Sequence, residues 1–130
     1  MASIAEIRSN MLAVLRALYP ETPVHDQEEI GNPLEAGFYV IHVETQQSQE
    51  TSKRYKRKHA MEVRFIPEGG GNVHAIAERL YDALVYLPLS GRIMRGTATR
   101  HSAQDGLLHF YVDYAFHVFR SNEPEETAML

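Results

Sequence analysis

The chain has 130 residues, a formal net charge of -4 and no cysteine. That length suits a single domain with a sheet and one or two helices. The missing thiols exclude disulfides, thiol nucleophiles and cysteine-based zinc sites, and the acidic balance speaks against a general nucleic-acid binder. With no run of about 18 apolar residues and no signal-peptide pattern, the expectation is a protein that is neither secreted nor membrane-spanning.

Ser3-Ile4-Ala5-Glu6 has the form of a capping box, in which the Ser hydroxyl accepts from the Glu amide and the Glu carboxylate reaches back to the Ser amide. Ile4, Ile7, Met11, Val14, Leu15 and Leu18 follow at three- and four-residue spacing. A helix is therefore predicted over 3–18, ended by Pro20. The segment 23–32 is polar and closes on Gly31-Asn32-Pro33, with room for a short edge strand around Val24. The segment 37–44 is rich in aromatic and β-branched residues on both faces, and predicts a central strand paired on both sides.

The segment 45–52 holds no apolar residue and reads as a solvated loop or the tip of an extended arm. Directly after it come Lys53, Arg54, Lys56, Arg57 and Lys58, the one dense charge run, entering a strand with Tyr55, Met61, Val63 and Phe65 at odd positions. A hairpin with a basic, polar end is expected there. Pro67 to Gly71 then forms a flexible connector. Asn72 is placed to cap a second helix, whose apolar positions run from Val73 to Leu87 and which Pro88 closes.

A strand through Ile93, Met94 and Gly96 to Thr99 leads to Asp105-Gly106, a hairpin turn pair. The last strand, over 107–120, is the wall against which the rest is expected to build. Leu108, Phe110, Val112, Tyr114, Phe116 and Val118 share its core face, and His109, Tyr111, Asp113, Ala115, His117 and Phe119 share the other. That second face mixes aromatic and ionisable groups, as expected of a surface half covered by a neighbouring element or subunit. The expected architecture is α+β: a mainly antiparallel sheet of about four to five strands with two helices packed on one face. It forms one domain over 1–120, with 121–130 as a flexible tail.

Chemistry is sparse. His109 and His117 lie eight residues apart on one strand, about 26 Å at ~3.3 Å per residue, too far to share an ion. The other five histidines show no short ligand spacing. No nucleophile elbow, P-loop or dinucleotide fingerprint is present, and Gly69-Gly70-Gly71 before a helix reads as a turn rather than an anion site. No catalytic, cofactor-binding or metal-binding residue is assigned. The basic run 53–58 admits three readings: a phosphate-binding arm, a charged strand end that discourages unwanted pairing, and a patch for an acidic partner surface.

Arg54-Tyr55-Lys56-Arg57, the helix segment from Asn72 to Tyr81, and Asp105 to Tyr114 come in the order and form that resembles the phage tail terminator family of phages and prophages of Gram-positive bacteria. Gly37-Phe38-Tyr39-Val40 is similar to that family's first central strand. The resemblance implies a non-enzymatic virion protein: a hexameric ring at the head-proximal end of the tail, put together in the host cytoplasm. Such a ring caps the tail tube, stops its polymerisation and joins it to the head connector. The implied partners are further copies of the chain, the tube protein, the sheath where one exists, and the connector, with DNA passing unbound through the lumen and no membrane contact. Lys53, Arg54, Tyr55, Lys56, Arg57, Lys58, His109, Tyr111, Asp113 and His117 are the candidate subunit or tube contacts. The alternative is a small nucleic-acid-binding module that uses the basic hairpin at 53–58.

Overall fold

The structure is a computed structural model that describes residues 3–31, 35–69 and 71–119. Its elements run α1 (Ile4–Leu18), β1 (Val24–His25), β2 (Gly37–Gln49), β3 (Arg54–Ile66), α2 (Val73–Ala83), β4 (Tyr86–Leu89), β5 (Arg92–Gln104) and β6 (Leu107–Phe119). Among the described residues the strands form one curled sheet in the order β1-β2-β3-β6-β5-β4. The α+β class holds, with two corrections. There are six strands rather than four to five, and the β1–β2 pair is parallel, so the sheet is mixed although its other pairings are antiparallel. The expected tail, 121–130, lies outside the described residues.

Helix α1 starts where Ser3 Oγ accepts from the Glu6 amide at 3.0 Å, filling one of the amide valences a helix start leaves open. The Glu6 carboxylate accepts from the Ser90 hydroxyl, so it ties the helix to the β4–β5 turn. Ile7, Met11, Leu12 and Leu15 are buried. Arg8 is also 8% exposed, a position the apolar stripe does not anticipate. Its Nε donates to the Val40 carbonyl at 3.1 Å and its guanidinium meets Asp26 at 3.0 Å. A buried cation is tolerated when it is so paired.

Helix α2 is capped by Asn72, whose side chain accepts from the His74 amide at 3.0 Å. It ends at Ala83, earlier than the apolar spacing predicts. Leu87 and Pro88 belong to β4, where Leu87 still points into the core and Pro88 sits on an edge strand. An edge strand tolerates proline because a missing outward N–H breaks no ladder bond. Leu87 fits a helical and a strand period equally well, which is why the sequence extends the helix one turn too far. Ser90 and Gly91, both at positive φ, close the β4–β5 hairpin, and Asp105 and Gly106 do the same for β5–β6, the backbone signature of tight two-residue turns.

One face of the sheet carries Phe38, Val40, Met61, Val63, Phe65, Leu108, Phe110, Val112 and Tyr114, and it joins both helices in a single core. Phe110 stacks edge-on against Tyr81 at 4.9 Å. Tyr114 is fully buried and donates from its hydroxyl to the Leu84 carbonyl at 2.6 Å, and burial pushes its phenol up. Among the described residues the opposite face carries no helix. At Gly96 the amide turns to Val85 and β5 leaves β6 to pair with β4. Beyond that point β2, β3 and β6 continue as a three-stranded arm.

Candidate assembly interface

The helix-free face of the central strands is a built polar layer. Glu62, on β3, is 4% exposed. Its carboxylate accepts from Arg64 at 2.8 and 3.1 Å, and lies 2.8 Å from His109 Nδ1 on β6. These contacts satisfy both carboxylate oxygens, which a buried charge requires. Beside it the Arg100 guanidinium lies 4.2 Å from the centre of the Tyr111 ring, a cation–π arrangement. Next along β6, Asp113 faces Lys58 at 3.8 Å. A shallow depression opens over Ala60 and Ala98, rimmed by Glu44, Lys58, Arg100, Tyr111 and Asp113. Three of the four polar last-strand candidates therefore line one surface, and each has a partner within the chain.

The fourth, His117, lies on the arm, where its Nε2 is 3.1 Å from Glu50. Glu50 also holds Arg54 at 2.9 Å. The strand alternation divides the basic run instead of presenting it as one patch. Arg54, Lys56 and Lys58 share the helix-free side with His117 and Asp113, while Tyr55 and Arg57 face the other side, where Arg57 Nε donates to Gln47 at 2.8 Å. Lys53 lies exposed in the tip of the turn. Carboxylates thus interleave with the cations, and a phosphate-gripping surface would want them absent.

The arm is longer than sequence alone suggests. Residues from Glu44 to Gln49, all polar and all exposed, are strand and pair with β3 as far as Gln49–Tyr55. A bulge between His42 and Glu44 marks where the core part of β2 gives way to the arm. Thr45 Oγ1 bridges across it at 2.7 Å both to His42 Nε2 and to His59 Nδ1. His59 is 3% exposed and its Nε2 has no hydrogen-bond partner among the described residues. Burial, with His42 and Arg57 nearby, holds its pKa below the usual histidine value.

The outer edge of β2 is one open side of the arm, and β6 beyond Tyr114 is the other among the described residues. Beyond Tyr39, where β1 ends, the β2 edge meets no further strand among the described residues, and Arg8 takes the Val40 carbonyl. The model of the family described as "Phage tail terminator protein" matches residues 6–126. The chain belongs to the phage tail terminator family. As a tail terminator it is a structural component of the virion tail, of a family that is non-enzymatic in kind. No curated protein matches the sequence. Among solved structures, one without a descriptive name is 18% identical and covers 89% of this chain and 92% of its own, with a TM-score of 0.45.

Among the described residues no group of three or more His, Cys, Asp or Glu side chains is placed to hold a metal ion. Several contacts of the tail terminator chain escape a reading by spacing. Glu62 and His109 are 47 residues apart, His59 and Thr45 are 14 apart, and His74 and His101 are 27 apart. Pairing of distant strands brings each together, and no local motif announces it. The one signal available for Glu62 is a carboxylate set between the apolar residues Met61 and Val63.

Proposed function

We propose that this tail terminator forms a ring, of six copies, that caps the head-proximal end of the tail tube, stops its polymerisation and joins it to the head connector. The observation that carries this reading is the outer edge of β2 from Ile41 to Gln49, which no other strand among the described residues pairs with. A long open edge is a liability for a free monomer and a template for pairing in an assembly. The opposite edge of the sheet is formed by the four residues of β4, blunted by Pro88, and then by the outer side of β5 from Ala98 to Gln104, which among the described residues pairs only with β6. Two unlike edges make a head-to-tail contact, which generates a ring when the rotation closes.

The contacts to neighbouring copies, to the tube and to the sheath where one exists are assigned to the arm and to the helix-free face. The residues involved are Lys53, Arg54, Tyr55, Lys56, Arg57, Lys58, His109, Tyr111, Asp113 and His117. The lumen passes DNA without gripping it, in keeping with a formal net charge of -4 on every copy. Assembly takes place in the host cytoplasm and no catalysis is involved.

Electron microscopy of the purified protein and of particles tests the ring: six-fold rings at the tail end support it, and a strict monomer in both settings overturns it. Deleting the gene tests termination. Tails of uncontrolled length are expected, and tails of normal length would overturn the capping role.

A further inference from the structure

We propose that His74 and His101 form a two-histidine site for a divalent transition ion of the Cu2+, Ni2+ and Zn2+ class. His74 sits in the first turn of α2 and His101 on β5, and the sheet and helix bring His74 Nδ1 to 3.0 Å from His101 Nε2. Imidazole nitrogens bind such ions at about 2.0–2.1 Å, so two of them at angles between ~90° and ~110° lie about 2.8–3.4 Å apart. The observed spacing lies within that window.

The second shell supports this assignment. Tyr81, one turn further along α2, places its hydroxyl 2.8 Å from His101 Nδ1. The Tyr81 ring is itself fixed edge-on against the core residue Phe110. When His101 Nδ1–H donates to that oxygen, the lone pair at Nε2 is left facing His74, the orientation a metal-binding histidine takes when its other nitrogen is held. His74 is exposed. It moves its single ring proton from Nδ1 to Nε2, toward water, and frees its own lone pair with no net proton released. Both ligands are then neutral, and imidazole nitrogen suits the borderline ions rather than Mg2+ or Ca2+.

Water fills the remaining coordination positions, since no third His, Cys, Asp or Glu is placed to join the pair among the described residues. The ion would bind reversibly, and it would tie the start of α2 to β5. Affinity follows the usual order for nitrogen sites, with Cu2+ tightest, and falls as the imidazoles protonate.

The test is calorimetric titration of the full chain with Cu2+ in a non-coordinating buffer at neutral pH. One ion per chain with saturable binding is expected. His74→Ala and His101→Ala should each weaken it by at least about ten-fold, and Tyr81→Phe, which leaves both ligands in place, by about ten-fold or more through the lost second-shell bond. His117→Ala, remote from the pair, should leave binding unchanged. The exposed position of His74 keeps the His74→Ala chain folded, which circular dichroism checks. A matching rise in Tm with added Cu2+, absent in His74→Ala, gives an independent readout. Absence of saturable binding by the unaltered chain, or equal affinity in His74→Ala, would overturn the site.

Discussion

Thr45 and His59 share a 2.7 Å hydrogen bond across the β2–β3 pair, at the point where the core of the sheet becomes an exposed arm. The ring of His59 also packs against Phe116 at 5.5 Å and His42 at 5.9 Å. This imidazole is therefore a neutral member of the core at the foot of the arm.

Its pKa is depressed in the folded chain by burial, then by His42 and Arg57. Above about pH 6.5, the ordinary histidine value, both folded and unfolded chains carry a neutral ring and stability is flat. As pH falls below that value the unfolded chain takes up the proton first, so stability drops. Urea midpoints measured from pH 7.5 to 5.0 should decline, and His59→Gln should flatten the decline; an equal slope in that variant would refute the assignment.

Two glycines at positive φ should respond differently to alanine. At Gly37, φ is 130° and an added Cβ would lie 2.5 Å from the Pro23 carbonyl oxygen. At Gly106, φ is 79° with nothing within 4 Å. Gly106→Ala is expected to cost about 1 kcal/mol, the strain of a left-handed backbone. Gly37→Ala should cost clearly more, since β1 must shift as well, and chemical denaturation of both variants measures the gap.

Glu62 accepts from Arg64 and pairs with His109 in the middle of the helix-free face. Glu62→Ala should destabilise the chain by about 1–3 kcal/mol, because Arg64 and His109 lose the partner they fold around. A double-mutant cycle of Glu62→Gln with Arg64→Met, read by thermal melts, should give a coupling energy above about 0.5 kcal/mol.

Lys56 is exposed on the arm, opposite Ser48 and His117. Lys56→Glu should change stability by less than about 0.5 kcal/mol. On the proposed use of the arm it should nevertheless lower the ring fraction in size-exclusion chromatography with light scattering. Unchanged assembly would remove Lys56 from the interface.

The local signals in the sequence were reliable guides to local structure. Ser3 and Asn72 cap the two helices, and Asp105-Gly106 closes the β5–β6 hairpin, because each acts within a few residues of itself. The strand 44–49 is harder to see. Its polar residues carry no periodicity, and it is strand because β3 holds it in register. β4 hides inside a helical spacing that Leu87 satisfies by coincidence. The polar layer around Glu62 joins residues from β3 and β6, and strand order, which decides such meetings, is not written in any single segment.

The bulge between His42 and Glu44 has one further effect. Up to His42 the even-numbered side chains of β2 face the helices, and from Thr45 onward the odd-numbered ones take that side. If Val43 instead took a regular place opposite Ala60, the ladder would lose its bulge and the two sides of this strand would be exchanged along its whole distal half. Glu44, Gln46 and Ser48 would trade places with Thr45, Gln47 and Gln49. A single residue thus chooses which set of side chains the arm offers to whatever lies beside it, leaving the hydrophobic interior untouched.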